Sequence, residues 1–131
     1  MTDGVWKSCF HRRWLMLTLL VAAVVLGLTH IPGQSIPRVL QVHYLDKAEH
    51  VVAYGLIAGF FLLSLKRPVR PAVLLIGLVL LVVIGALDEV TQPLVNRFAS
   101  VSDYAFDLTG MAVACVILLV SRPSGSSAAP P

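Results

Sequence analysis

Apolar residues fill four long stretches of the chain, and polar residues gather between them. Trp14 to Thr29 carries no charge. Asp46 to Leu65 opens on Asp46-Lys47-Ala48-Glu49-His50 and then turns apolar. Pro71 to Leu87 is apolar throughout and runs into Asp88-Glu89. The fourth stretch opens near Asp103, passes Asp107 and ends near Ser121. Runs such as Ala72 to Leu87 do not alternate between apolar and polar residues, so a transmembrane β-barrel is excluded and helices are predicted. A membrane-spanning helix needs about 20 residues, with a range of about 17–25. The second and fourth stretches reach that length only if their ionisable openings are included. Ile31-Pro32-Gly33-Gln34-Ser35-Ile36-Pro37 reads as a loop and Lys66-Arg67-Pro68 as a tight turn with a helix breaker. Pro93 follows Gln92 and either ends the third helix or sits in its last turn.

Composition agrees with spans rather than with a water-soluble core. The chain has 131 residues, of which 57% are hydrophobic and 13% charged, against about 25% charged in average soluble domains. So little polar surface excludes an ordinary soluble globule, a disordered chain and a collagen-like fibre. The expected fold class is all-α, an integral membrane four-helix bundle. Residues 1–13 form a cytoplasmic N-terminal segment, 14–121 the transmembrane domain and 122–131 a disordered tail rich in Ser, Ala and Pro. Lys7, Arg12 and Arg13 precede the first run as in a secretory signal. The run is long and no clear small-x-small site follows it, so an uncleaved helix is expected. The net charge of +3 comes from short basic groups between apolar runs, which does not suggest nucleic-acid binding. Cys9 and Cys115 lie far apart and form no C-x-x-C, so neither a disulfide framework nor a metal motif is expected.

The distribution of charge gives an orientation. Lys7, Arg12, Arg13, Lys66, Arg67, Arg70 and Arg122 fall on one side of the proposed spans, with Asp3 as their only acid. Arg38, Lys47 and Arg97 fall on the other side, with six acids. Lys and Arg in excess mark the cytoplasmic side, so both termini should be cytoplasmic. Acids contribute little to orientation, and their concentration at the outer helix ends needs another cause.

Lys47, His50 and Tyr54 share one helix face, at i, i+3 and i+7. Asp88 and Gln92 stand at i, i+4 on the third helix, Arg97 in the third loop, and Asp103, Asp107 and Gly110 along the fourth helix. Capping accounts for part of this pattern: Asp46 with Glu49 resembles a capping box, as does Ser100 with Asp103. Capping does not account for Asp88 and Glu89, at a C-terminus where the helix dipole opposes them. Nor does it account for Asp107, about 6 Å further along the helix than Asp103. Ionisable groups inside spans face the interior, pair with one another and mark functional sites. His30 and His43 read as solvated loop residues, Trp14 and Tyr44 as interface anchors. Gly55, Gly59, Gly77, Gly85 and Gly110 read as close-packing positions.

The ordered set Asp46-Lys47-x-x-His50-x-x-x-Tyr54, Asp88-Glu89-x-x-Gln92, Arg97 and Ser102-Asp103, with Gly110 seven residues after that Asp, resembles the VanZ-like family of small bacterial membrane proteins. The resemblance covers roughly residues 44–111. It departs at Asp107, where many members carry Asn. It implies a four-helix protein of the bacterial cytoplasmic (inner) membrane associated with the cell envelope. The family's namesake is linked to low-level teicoplanin resistance.

Four chemistries fit these residues. Lys47 and Arg97 can hold the phosphate of a membrane lipid or a polyprenyl-linked envelope intermediate, with Tyr54, Glu89, Gln92 and Asp107 shaping the pocket. Alternatively, His50 acts as general acid or base, oriented by Asp88 or Asp103, in a hydrolase or transferase working on a lipid head group. A metal-assisted variant of that reaction would suit Mg²⁺ or Mn²⁺. No compact ligand motif such as H-E-x-x-H occurs, and no metal or other cofactor is assigned. A small transporter is the third reading, weakened by the absence of an acid from the first run, and a structural assembly partner is the fourth.

Overall fold

The computed structural model describes residues 9–35 and 43–121. Lys7, Arg38, Arg122 and the whole 122–131 tail lie outside the described residues, as do the side chains of His43 and Tyr44. Four long helices follow one another: α1 (Arg12–Thr29), α2 (His43–Ser64), α3 (Pro71–Thr91) and α4 (Val101–Val120). All four are long and apolar enough to cross a membrane. Short 3₁₀ turns occupy Gly33–Ser35 and Gln92–Val95.

The helix ends follow local chemistry. Pro71 opens α3, where its missing N–H costs nothing. Ser100 caps α4 by accepting from the Asp103 N–H. Pro93 sits in the first turn of the second 3₁₀ segment, and Asn96 closes that segment with a left-handed φ of 56°. Asparagine is one of the few residues that tolerates this conformation. The turn directs the chain back and leaves Arg97 beside the end of α1, its Nη1 3.4 Å from the Leu28 carbonyl.

One expectation about these ends is corrected. α2 starts at His43, three residues before Asp46. Asp46 therefore lies inside the first turn and is not its cap, and Glu49 is exposed. As expected of a third helix that ends in these acids, α3 continues through Asp88 and Glu89 to Thr91, and Gln92 begins the 3₁₀ turn.

α2 is the central element, packing against α1, α3 and α4. α2 and α4 run parallel and in register, with Lys47 opposite Asp103, His50 opposite Asp107 and Gly55 opposite Gly110. A Cβ on Gly110 would collide with the Val51 carbonyl, and one on Gly55 would lie 3.3 Å from the Gly110 carbonyl. These two helices therefore touch through their backbones. α3 runs antiparallel to both, placing Gly77 against Phe61 and Gly85 against Tyr54. Gly59 departs from its expected role, since a Cβ there would meet nothing within 4 Å. The start of α1 joins the end of α2 through His11 N–H to Ser64 O (2.6 Å) and Lys66 N–H to Cys9 O (2.8 Å). Arg12, Arg13, Lys66, Arg67 and Arg70 thus share one end of the molecule.

The burial pattern inverts that of a water-soluble protein. Leu19, Leu75 and Val116 are 64%, 64% and 62% exposed. His50, Asp88, Glu89, Gln92, Asp103 and Asp107 are buried. An apolar core of Val25, Ile57, Ala58, Phe61, Leu62, Leu65, Leu81 and Met111 fills the basic half, with Tyr54 at its boundary with the polar residues.

Candidate functional site

Polar side chains from three helices and two loops meet at the end of the molecule opposite the basic cluster. His50 Nδ1 lies 2.7 Å from Asp107 Oδ1, and the Asp107 side chain is fully buried. With the carboxylate accepting, Nδ1 carries the hydrogen, and in a neutral ring Nε2 keeps its lone pair. Lys47 Nζ reaches Asp103 Oδ1 at 2.9 Å and Ser102 Oγ at 2.8 Å. Its ammonium also stands 5.1 Å from the centre of the Phe106 ring. Tyr54 OH donates to Asp88 Oδ2 at 2.9 Å. The parallel register of α2 and α4 produces the first two pairs, and antiparallel α3 supplies the acceptor for the third.

Glu89 has a geometric answer to its unfavourable place near the end of α3. Its Oε1 accepts from the backbone N–H of Ser100, and its Oε2 accepts from Gln92 Nε2 at 3.3 Å. The N-terminal end of α4, with its unpaired N–H groups, thus lies against the C-terminal end of α3 and offsets the opposing dipole there. In a capping box the side chain three residues on would take the Ser100 N–H. Here Glu89 takes it, and Asp103 is left for Lys47.

Arg97 closes the rim. Its Nη2 is 3.6 Å from Asp46 Oδ1 and its Nη1 3.4 Å from the Leu28 carbonyl. These contacts are long for a guanidinium that carries five N–H donors. Lys47 and Arg97 therefore stand at the partly exposed edge of the cluster, and the His50, Asp88, Glu89 and Asp107 side chains are buried within it. Every residue singled out from the sequence, namely Lys47, His50, Tyr54, Asp88, Glu89, Gln92, Arg97, Asp103 and Asp107, lies in this one region.

Three further residues belong to it. Thr29 Oγ1 donates to Asp88 Oδ1 at 2.6 Å. His30, expected to be solvated, is partly buried, with Nδ1 2.9 Å from the Leu26 carbonyl and Nε2 2.9 Å from Thr91 Oγ1. The correction follows from the fold: the end of α1 packs beside Asp88 and Thr91, so the histidine that follows it is drawn into contact with α3 and keeps only part of its side chain exposed. The sequence signal was the polar pair Thr29-His30 closing an otherwise apolar run.

His50, Glu89 and Asp107 each offer a donor atom to a group whose members lie within 4.8 Å of one another, and so do Asp46, His50 and Asp103. Asp107 Oδ2 is the one buried side-chain oxygen or nitrogen without a hydrogen bond among the described residues. Comparison with protein-family models, curated proteins and solved structures finds no match to this chain.

Proposed function

We propose that the chain is an integral membrane protein of the bacterial inner membrane, a four-helix bundle with both termini cytoplasmic. In this reading its outward-facing polar site binds a lipid or lipid-linked cell-wall intermediate through an anionic head group. Lipid-facing leucines and buried carboxylates support membrane residence, because a bilayer reverses the usual cost of exposing apolar side chains. The basic end containing Arg12, Arg13, Lys66, Arg67 and Arg70 supports its assignment to the cytoplasm. The resemblance to the VanZ-like family supports an envelope role and, with it, a contribution to glycopeptide tolerance.

The observation that carries the binding reading is the pair of cations at the edge of the cluster, beside an internal layer of acids. Lys47 and Arg97 are only 16% and 17% exposed in their side chains. They lie near the level where lipid phosphates would sit if the helices spanned a bilayer. Arg97 has donors to spare for a bidentate phosphate contact.

Wild-type protein should therefore retain polyprenyl phosphate through purification, as read by mass spectrometry of the extracted lipid. Loss of a hydrogen bond to a charged group is worth about 1.5–3 kcal/mol, on the order of tenfold or more in affinity. Arg97→Ala and Lys47→Ala should each reduce retention by that factor. Unchanged retention in both variants would refute the binding reading.

The His50–Asp107 pair favours a second reading, as a hydrolase or transferase on the same head group. A carboxylate that fixes one ring nitrogen leaves the other to serve as base or acid. Turnover of the polyprenyl phosphate by wild-type protein, lost in His50→Gln, is its expected signature. Absence of turnover with binding intact would leave binding alone. The transporter and assembly-partner readings gain no comparable support, and α1 contains no acid.

A further inference from the structure

We infer that His50, Glu89 and Asp107 form a binding site for a divalent transition cation in the floor of the polar site. The inference stands on the buried residues and does not require lipid at the edge.

The first support is charge. Asp46, Asp88, Glu89, Asp103 and Asp107 are gathered around two permanent cations, Lys47 and Arg97. Both cations are engaged at the rim, Lys47 with Asp103 and Arg97 with Asp46. No permanent cation pairs with Glu89 or Asp107 among the described residues. The groups that donate to Glu89, the Gln92 amide and the Ser100 N–H, are neutral. Among the described residues Asp107 has only the His50 imidazole beside it, which carries a charge only when protonated, and buried carboxylates without a permanent counter-charge are costly.

The second support is the orphaned oxygen. Asp107 has no solvent exposure, and its Oδ2 has no hydrogen-bond partner. A buried carboxylate oxygen left unmatched is costly. Here it belongs to a residue already grouped with an imidazole and a second carboxylate.

The donor set defines the class of ion. One imidazole and two carboxylates suit Zn²⁺ or Mn²⁺ better than Mg²⁺, which prefers oxygen donors in a near-ideal octahedron and keeps several waters. Three protein ligands leave positions open, the arrangement of catalytic rather than structural centres. The alternative group of Asp46, His50 and Asp103 is disfavoured because Lys47 and Arg97 already hold its carboxylates and repel a second cation.

The test uses the full chain in detergent micelles, stripped with chelator and titrated with Mn²⁺. Free Mn²⁺ is followed by its aqueous electron paramagnetic resonance signal, and Zn²⁺ serves as competitor. Wild type should bind one Mn²⁺ per chain, be displaced by Zn²⁺ and show a raised thermal unfolding midpoint when loaded. Glu89→Gln and Asp107→Asn keep the side-chain shapes and should weaken binding by about 100-fold. Asp46→Asn should leave the affinity within about twofold, because that carboxylate belongs to the rim. Circular dichroism of each variant separates lost ligation from lost fold, and Glu89→Gln decides the matter if Asp107→Asn does not fold. Wild type that binds no stoichiometric ion and gains no thermal stability would overturn the proposal. So would loss of the ion in Asp46→Asn with retention in Glu89→Gln. Lipid retention is read on the rim variants and ion binding on the floor variants, so failure of one leaves the other interpretable.

Discussion

Replacing Gly110 by alanine should destabilise the protein by about 3 kcal/mol or more, the upper end of the range for overpacking a tight contact. The added methyl would overlap the Val51 carbonyl and crowd the Gly55 nitrogen. Both obstacles are backbone, so no rotamer change relieves them and α2 must move away from α4. That movement would lengthen the His50–Asp107 and Lys47–Asp103 contacts on the same interface, coupling stability to the polar site. Intrinsic helix propensity works in the other direction, favouring alanine over glycine by about 1 kcal/mol. Gly59→Ala is therefore the matched control, because a methyl there meets nothing within 4 Å. It should be neutral or stabilising. Unfolding in mixed micelles by titration with sodium dodecyl sulfate measures both variants. A Gly110→Ala protein as stable as Gly59→Ala would show that the two helices do not meet at this position.

His50→Leu should cost about 3 kcal/mol or more, because it leaves the fully buried Asp107 carboxylate without its hydrogen-bonded partner. Asp107 would then have neither oxygen satisfied by the pair, since its Oδ2 already lacks a partner. Adding Asp107→Leu should restore much of the loss, because two apolar side chains can replace a buried pair at little cost. The recovery is the diagnostic result. Simple disruption of packing by the two leucines predicts additive losses, whereas a coupled polar pair predicts that the second change repairs the first. The measurement is made with chelator present, so that any bound cation does not contribute.

The sequence made the helices legible because length and apolarity suffice to define a span. It was weaker at their ends, where cooperation between elements decides. α2 gained a turn upstream of Asp46, and Gln92 left α3 to begin a 3₁₀ turn. The side-chain cluster was legible from spacing, since Lys47, His50 and Tyr54 on one face require partners on another element. Which partner each would find was not legible. Gln92 turned to Glu89 three residues before it, and the Ser100 N–H went to Glu89 instead of completing a cap with Asp103. Those choices depend on how far the end of α3 stands from the start of α4, which no local pattern encodes. His30 was misjudged for a related reason: its surroundings come from α3, some sixty residues away.

The direct contact of α2 with α4, two helices not adjacent in the chain, has a consequence for biogenesis. His50 leaves the ribosome 57 residues ahead of Asp107, and Lys47 precedes Asp103 by 56. At about 5–20 residues per second, that interval lasts several seconds. Throughout it the nascent chain presents an imidazole and an ammonium whose counterparts have not yet been translated. If the helices span a bilayer as proposed, α3 must be threaded before the matching segment emerges, and α2 would have to be sheltered until α4 arrives. Chains truncated before α4 would keep these groups permanently unmatched.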